Sequence, residues 1–305
     1  MLGMNSFRPG KELTLSNAAK LSVGIGQNFP AQLSDDYSSC ARSLISQGHC
    51  TLKIPSCLSD NFWRMAFSYS EIPPHIKEVF SFPERTDGFL PFGMERARST
   101  NRVDLCERFC YRQKFRIDHH QHSFSQSPMY AAATGSEIGL SAIAEQILAA
   151  ICLDFDVPAN IAIRDNSYMQ FCSYDACYRR GDREFLQDRH EDGNLITLAK
   201  ASCEGLVIFP DGEPRMVNLA DDEIIVFTGS LLTALSDGRI PCMDHAVLSP
   251  PANVSRSSLV YFALPELNKT YASFVRGEEL NLEAIANELH QGFGNQPFID
   301  SPLAR

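Results

Sequence analysis

Three residues in the second half of the chain could hold a metal. His190 and Asp192 stand two apart in Arg189-His190-Glu191-Asp192-Gly193, and His245 follows with 52 residues between it and Asp192. In extended backbone, residues i and i+2 point to the same side, so an imidazole and a carboxylate are offered to one point while Glu191 turns away. A second imidazole returning on a later antiparallel strand completes a two-His, one-carboxylate set. That set leaves three positions of an octahedral ion open and suits Fe(II), with room for dioxygen and an organic ligand. An isolated His-x-Asp pair is usually structural. The set gains weight from Arg256 and Ser258, two apart at the start of the next apolar run. Together they form a charge-assisted clamp for a carboxylate near the metal. Leu198, Leu206, Phe227 and Phe262 are the expected apolar walls that exclude water.

These side chains need a rigid frame. From Tyr168 onward short apolar runs recur between turn residues: Tyr168–Cys172, Leu195–Leu198, Leu206–Phe209, Arg215–Leu219, Ile224–Phe227, Ala246–Leu248 and Leu259–Leu264. Asp211-Gly212 and Asp237-Gly238 mark tight turns. The spacing predicts a double-sheet jelly roll. Upstream the texture is helical. Ser34 with Asp35 and Asp36 opens a helix that Gly48 ends; a strand follows at Thr51–Ile54 and a helix at about Ser59–Tyr69. Thr134 and Glu137 have capping-box spacing, and Leu140, Ile143, Ala144, Ile147, Leu148 and Ile151 then share one helical face. Residues 80–133 read as loop-rich, residues 1–30 as a loosely structured arm, and Asn281–His290 as a closing helix. The expected fold class is α+β, mainly β, with a jelly roll braced by N-terminal helices and a C-terminal helix. The expected division is a helical and loop region over 1–160, a β core over 161–270, and a helix with tail over 271–305.

Composition excludes some classes. A formal net charge of -10 over 305 residues disfavours general nucleic-acid binding. The longest apolar region, Ile138–Val157, is interrupted by Glu145, Gln146, Asp154 and Asp156, so no membrane span is expected. The first twenty residues hold no sustained apolar segment, and ten irregularly spaced cysteines read as reduced thiols. A cytoplasmic monomer is the expectation. Cys106 and Cys110 read as small buried residues one helical turn apart. His119, His120 and His122 beside Asp118, and the run Arg179–Glu184, read as solvated loops.

The ordered segments HEDGNLITL, GLVIF, VNLADDEIIVFTGSLLTALSDGRI, DHAVLSPP and RSSLVYFALPE resemble the 2-oxoglutarate-dependent oxygenases of the isopenicillin N synthase-like superfamily. The upstream segment SSCARSLISQGHCTLKIP resembles that family's N-terminal helix-then-strand unit, so the likeness runs from about residue 34 to 292. The resemblance implies a double-stranded β-helix, Fe(II) on His190, Asp192 and His245, and a 2-oxoglutarate carboxylate on Arg256 and Ser258. It also implies a carboxylate-holding role for Tyr174, dioxygen as oxidant and a small-molecule substrate, with a tailoring role in biosynthesis by analogy. Some positions depart from the family pattern: Ala246 stands where an Arg is usual, Ser230 where an Asp is usual, Asp237-Gly238-Arg239 where the turn is usually Asn-Gly-Arg, and the gap from His245 to Arg256 is slightly long. Isopenicillin N synthase-like oxidases keep the Arg-x-Ser pair without using 2-oxoglutarate, so a second reading has Arg256 and Ser258 hold the substrate's own carboxylate. A non-enzymatic binding protein on the same scaffold is a third.

Overall fold

Period-two apolar patterning builds two antiparallel sheets whose inner faces meet. The computed structural model describes residues 35–159, 161–175, 183–249 and 254–298. Its strands are β1 (His49–Lys53), β2 (Ser81–Phe82), β3 (Asp87–Leu90), β4 (Glu107–Tyr111), β5 (Tyr168–Tyr174), β6 (Phe185–His190), β7 (Ile196–Ala201), β8 (Leu206–Ile208), β9 (Arg215–Met216), β10 (Glu223–Thr228), β11 (His245–Leu248), β12 (Arg256–Ala263), β13 (Tyr271–Ala272) and β14 (Glu279–Leu280). Its helices are α1 (Asp35–Gln47), α2 (Ser56–Tyr69), α3 (Pro74–Val79), α4 (Arg116–His119), α5 (Pro128–Asp154), α6 (Ser230–Leu235) and α7 (Leu282–Gly292). The larger sheet runs β1-β10-β7-β12-β5-β4-β3-β2, the smaller β6-β11-β8-β9, and β13 pairs with β14. This is the expected jelly roll with helices.

Alternation sorts each strand's residues between two faces. Ala199, Ile225 and Phe227 of the larger sheet pack with Leu206, Ile208 and Met243 from the side of the smaller one. Cys172 and Tyr174 do the same with Leu186 and Val247. The opposite parity of the larger sheet, Leu198, Ile224 and Leu259, meets Leu58 of α2 and Leu140 of α5. Leu198 therefore belongs to the helix side and is not a wall of the metal chamber, contrary to the expectation from sequence.

The apolar face of α5 is buried as its spacing requires. The helix starts earlier than Thr134, because Ser127 accepts from Tyr130 N at 3.1 Å and Pro128 fills the first turn. Thr134 instead donates back to Tyr130 O at 3.0 Å, and buried Glu137 meets Arg164 at 3.3 Å. With this early start, α5 becomes long and apolar enough to cross a membrane by length and composition, where the sequence predicts no such stretch. It lies against α1, α2 and the larger sheet. Space at Gly139 lets α2 come close: an added Cβ would sit 2.6 Å from Leu58 Cδ2.

Other expectations are revised. Residues 80–133 contribute β2, β3 and β4, which extend the larger sheet. Cys106 and Cys110 are buried as expected, but Cys110 lies in a strand and not on a helix. Cys40 and Cys50 form a disulfide between α1 and β1, against the expectation of uniformly reduced thiols; the helix-then-strand turn at Gly48 brings their Cα atoms to 5.7 Å. His119 is fully buried, with Nε2 2.7 Å from Asp87 Oδ2 and Nδ1 3.0 Å from the Tyr130 hydroxyl, so it is a core residue and not part of a solvated loop. The arm at 1–30, the Ser34 cap and most of the Arg179–Glu184 run lie outside the described residues.

Candidate metal centre

Strand pairing brings the two imidazoles together. His190 ends β6, His245 begins β11, and the two stand opposite each other in the register. Their ring centroids are 4.3 Å apart. Asp192 lies two residues past the end of β6. Its Oδ1 is 3.9 Å from His190 Nε2 and its Oδ2 is 3.8 Å from His245 Nε2. One donor atom from each residue falls within 4.8 Å of the other two, and this is the one such cluster of His, Cys, Asp and Glu among the described residues.

The other ring nitrogens set the tautomers. His190 Nδ1 donates to Asp188 O at 2.7 Å, and His245 Nδ1 to Met243 O at 3.4 Å. A carbonyl only accepts, so each Nδ1 carries the proton and each Nε2 presents a lone pair to the common point. Burial pushes His245 down to about 4, which keeps it neutral and ready to ligate at neutral pH. Two neutral imidazoles and one carboxylate on one side of a point fit Fe(II).

The turn after β6 holds Asp192 in place. Thr197 Oγ1 donates to Asp192 Oδ2 at 2.6 Å, and Asn194 Nδ2 donates to Thr197 Oγ1 at 2.7 Å. Ser230 donates to Asp192 O from both its backbone nitrogen, at 2.9 Å, and its hydroxyl, at 3.0 Å. The residue that departs from the family pattern thus buttresses a ligand from the start of α6. Gly193 lets α7 close on this turn, since a Cβ there would lie 2.8 Å from Leu289 Cβ. Sequence reasoning missed Thr197 and Asn194, and noted Ser230 only as a departure without its contact to Asp192. Their signal was present as Asn-x-x-Thr directly after the His-x-Asp pair, but nothing in spacing alone ties a hydroxyl to a carboxylate five residues away. Thr197→Val should weaken Fe(II) binding by about 10- to 100-fold, as loss of an outer hydrogen bond to a ligand does, and should cost about 1–3 kcal/mol of stability because buried Asn194 Nδ2 loses its acceptor. Anaerobic metal titration measures it, and unchanged affinity would remove Thr197 from the centre.

Arg256 and Ser258 share the inward face of β12. Arg256 is paired with Tyr174 across β5, and Ser258 with Cys172. The Arg256 guanidinium is buried, 5.2 Å from the Tyr174 ring centroid, and its Nε and Nη1 have no hydrogen-bond partner among the described residues. Tyr174 donates its hydroxyl to Gln187 Oε1 at 2.6 Å, so in this structure that oxygen is engaged by a side chain. Lys200, the other cation on the lining, turns its ammonium to the carbonyls of Asp221 and Glu223. One chamber of about 210 Å3 contains the three metal donors, Arg256, Ser258 and Tyr174, with Leu206, Phe227 and Phe262 among its walls.

Comparison with known proteins finds similarity over the region that carries these residues. Residues 165–265 match the model of the 2OG-Fe(II) oxygenase superfamily, a stretch that includes all six of these site residues. Over 109 residues the chain is 28% identical to gibberellin 20 oxidase 1-B of Triticum aestivum, covering 35% of this chain and 29% of that protein. The match thus spans under a third of the curated relative's length. A full-length Neurospora crassa protein solved in complex with alpha-KG superposes with a TM-score of 0.67 at 18% identity, covering 84% of this chain and 90% of that chain. A dioxygenase for auxin oxidation from rice does so with a TM-score of 0.66 at 16% identity, covering 86% and 91%. At such identities the superpositions speak for the fold, while the family model speaks for the region that carries the metal donors. Over residues 165–265 the chain is similar to the 2OG-Fe(II) oxygenase superfamily.

Proposed function

We propose that this protein is an Fe(II)- and 2-oxoglutarate-dependent dioxygenase that oxidises a C–H bond of a small molecule, by hydroxylation, desaturation or ring closure. The observation that carries the reading is the buried Arg256 guanidinium. A buried cation with unpaired N–H groups is costly and calls for an anion. The same chamber holds the three metal donors, so a short dicarboxylate reaching from Arg256 to the metal answers both ends at once. Fe(II) with 2-oxoglutarate and dioxygen supplies the oxidant, the cosubstrate leaving as succinate and carbon dioxide. His190, Asp192 and His245 would hold the ion, and Arg256 with Ser258 the far carboxylate. Leu206, Phe227 and Phe262 keep water from the reacting centre.

The clamp also fits a carboxylate belonging to the substrate itself, and the test separates the two. Metal-free protein is loaded anaerobically with Fe(II), and 2-oxoglutarate is added while the weak visible charge-transfer band of the chelate is followed. The expected result is a band that is lost in His190→Ala. In Arg256→Ala it should need at least about tenfold more 2-oxoglutarate, the effect of losing a hydrogen bond to a charged group. Iron binding with no band, and no 2-oxoglutarate consumption, would favour the oxidase that works without the cosubstrate. Ligand binding with no metal binding would favour a non-enzymatic protein.

A further inference from the structure

A second chamber, of about 60 Å3, shares His190 and Asp192 with the first and extends toward α7 without reaching Arg256. Its lining differs in charge. Glu95 and Asp104 join Asp192 there, with no Lys or Arg among the described lining residues. Behind them one guanidinium serves both added acids: Arg108 Nε is 2.7 Å from Glu95 Oε2, and Arg108 Nη2 donates to Asp104 Oδ2. Two carboxylates thus share one guanidinium in contact, and the next buried cation, Arg112, lies behind the Tyr168 and Phe298 rings.

Asn295, from the segment after α7, supplies an independent observation. Its Nδ2 donates to Glu95 Oε1 at 2.9 Å, alongside Gln170 Nε2 at 2.9 Å. A carboxylate only accepts, so the amide orientation is fixed and Oδ1 is the free end. That oxygen is buried without a partner among the described residues, on a side chain that is 6% exposed and lines the chamber. A buried acceptor left unpaired is unfavourable and calls for a donor. The remaining walls include Phe262 and Phe293, whose ring faces attract cations, and Tyr168 and Phe298, whose rings already carry Arg112 at 4.3 and 5.3 Å. His290 adds no competing charge, because burial, with Arg112 nearby, pushes it down to about 3. Arg112 stacks on the Tyr168 ring and donates to the carbonyls of Thr86 and Asn166, outside this lining.

We propose that the prime substrate carries a protonated amine, held in this chamber by Glu95 and Asn295 Oδ1 beside the Phe262 and Phe293 rings, with its neighbouring C–H bonds toward the metal centre. The inference rests on the dioxygenase reading for its catalytic meaning, but the recognition itself is a property of the chamber. The test uses the Fe(II)- and 2-oxoglutarate-loaded protein without oxygen, with propylamine, propanol and propionate as probes. Propylamine should perturb the chelate band at concentrations at least about tenfold below the other two, the scale of a charge-assisted hydrogen bond. Asn295→Leu and Glu95→Gln should each remove that preference. Glu95 is part of a buried ion pair and its variant can unfold, so Asn295→Leu carries the test in that event. Equal response to the three probes, or a preference unchanged in Asn295→Leu, would overturn the inference. Calorimetry of the same probes on metal-free protein separates the two proposals. Amine binding without any chelate band leaves this inference standing while the dioxygenase reading falls. A chelate band with no amine preference does the reverse.

Discussion

Asp192→Ala should leave a folded protein that no longer retains Fe(II) and no longer consumes 2-oxoglutarate. Asp192 is the anionic member of the donor set, and its two oxygens face the Nε2 atoms of His190 and His245 at 3.9 and 3.8 Å. Removing it leaves two neutral imidazoles, a weak site for a ferrous ion. Turnover should fall on the order of a thousandfold, because outer hydrogen-bonding partners of metal ligands are by themselves worth about 10- to 100-fold. The fold should survive, because the Ser230 clamp grips the Asp192 backbone carbonyl and not the carboxylate. Thermal unfolding of the metal-free variant should therefore resemble that of the metal-free parent, and only the parent should gain stability on adding Fe(II), by mass action. Iron content after anaerobic loading and 2-oxoglutarate-dependent oxygen uptake are the measurements. A variant that keeps full iron content would show that the metal sits elsewhere.

The meeting of His190, Asp192 and His245 was legible because chemistry restricts the candidates. Few residue types ligate Fe(II), and period two on a strand places His190 and Asp192 on one side of the chain, as it places Arg256 and Ser258 on one side of β12. The long apolar runs of β5, β7, β10 and β12 were legible for the same geometric reason. β6 was not: Phe185-Leu186-Gln187-Asp188-Arg189-His190 is mostly polar, because its burial alternates and its polar members serve the site. Gln187 receives the Tyr174 hydroxyl, and Asp188 accepts from Thr100 and Arg102. β4 was hidden in a similar way by Arg108, a buried cation that reads as surface until its two carboxylates are seen. Leu198 was assigned to the wrong face because apolarity alone does not say which side of a two-sided sheet a residue takes. His119 was misread because a histidine satisfied by Asp87 and Tyr130 cannot be told from an exposed one without its partners. The second chamber was the least legible part. Glu95 and Asn295 meet across 200 positions of sequence, and no local pattern announces such a meeting.

Gly229→Ala should be among the most damaging single-methyl changes in the protein, through packing and not through backbone strain. Gly229 has φ -107° and ψ 172°, extended backbone that any residue adopts. An added Cβ would lie 2.1 Å from Asn194 Oδ1, 2.4 Å from Asn194 O and 2.8 Å from Asp192 O. Two of those atoms are carbonyls of the turn that carries the metal carboxylate. That turn cannot retreat freely, because Gly229 N bonds Leu195 O at 3.0 Å and Leu231 N bonds Asn194 O at 3.0 Å. Overpacking of this kind costs about 1–3 kcal/mol, and the backbone clash places Gly229→Ala at the upper end. Whatever movement relieves the clash also shifts Asp192 against the two histidines, so Fe(II) affinity should fall at least about tenfold together with stability, the loss expected when a ligand's outer support is removed. Gly238→Ala is the control. Gly238 has φ +78° with nothing within 4 Å of an added Cβ, so its cost is left-handed strain alone, about 1 kcal/mol, with iron binding unchanged. Thermal unfolding and Fe(II) titration of the two variants side by side distinguish packing from strain. If Gly229→Ala proved no more harmful than Gly238→Ala on both measures, the start of α6 would not be what holds Asp192 in register with the histidines.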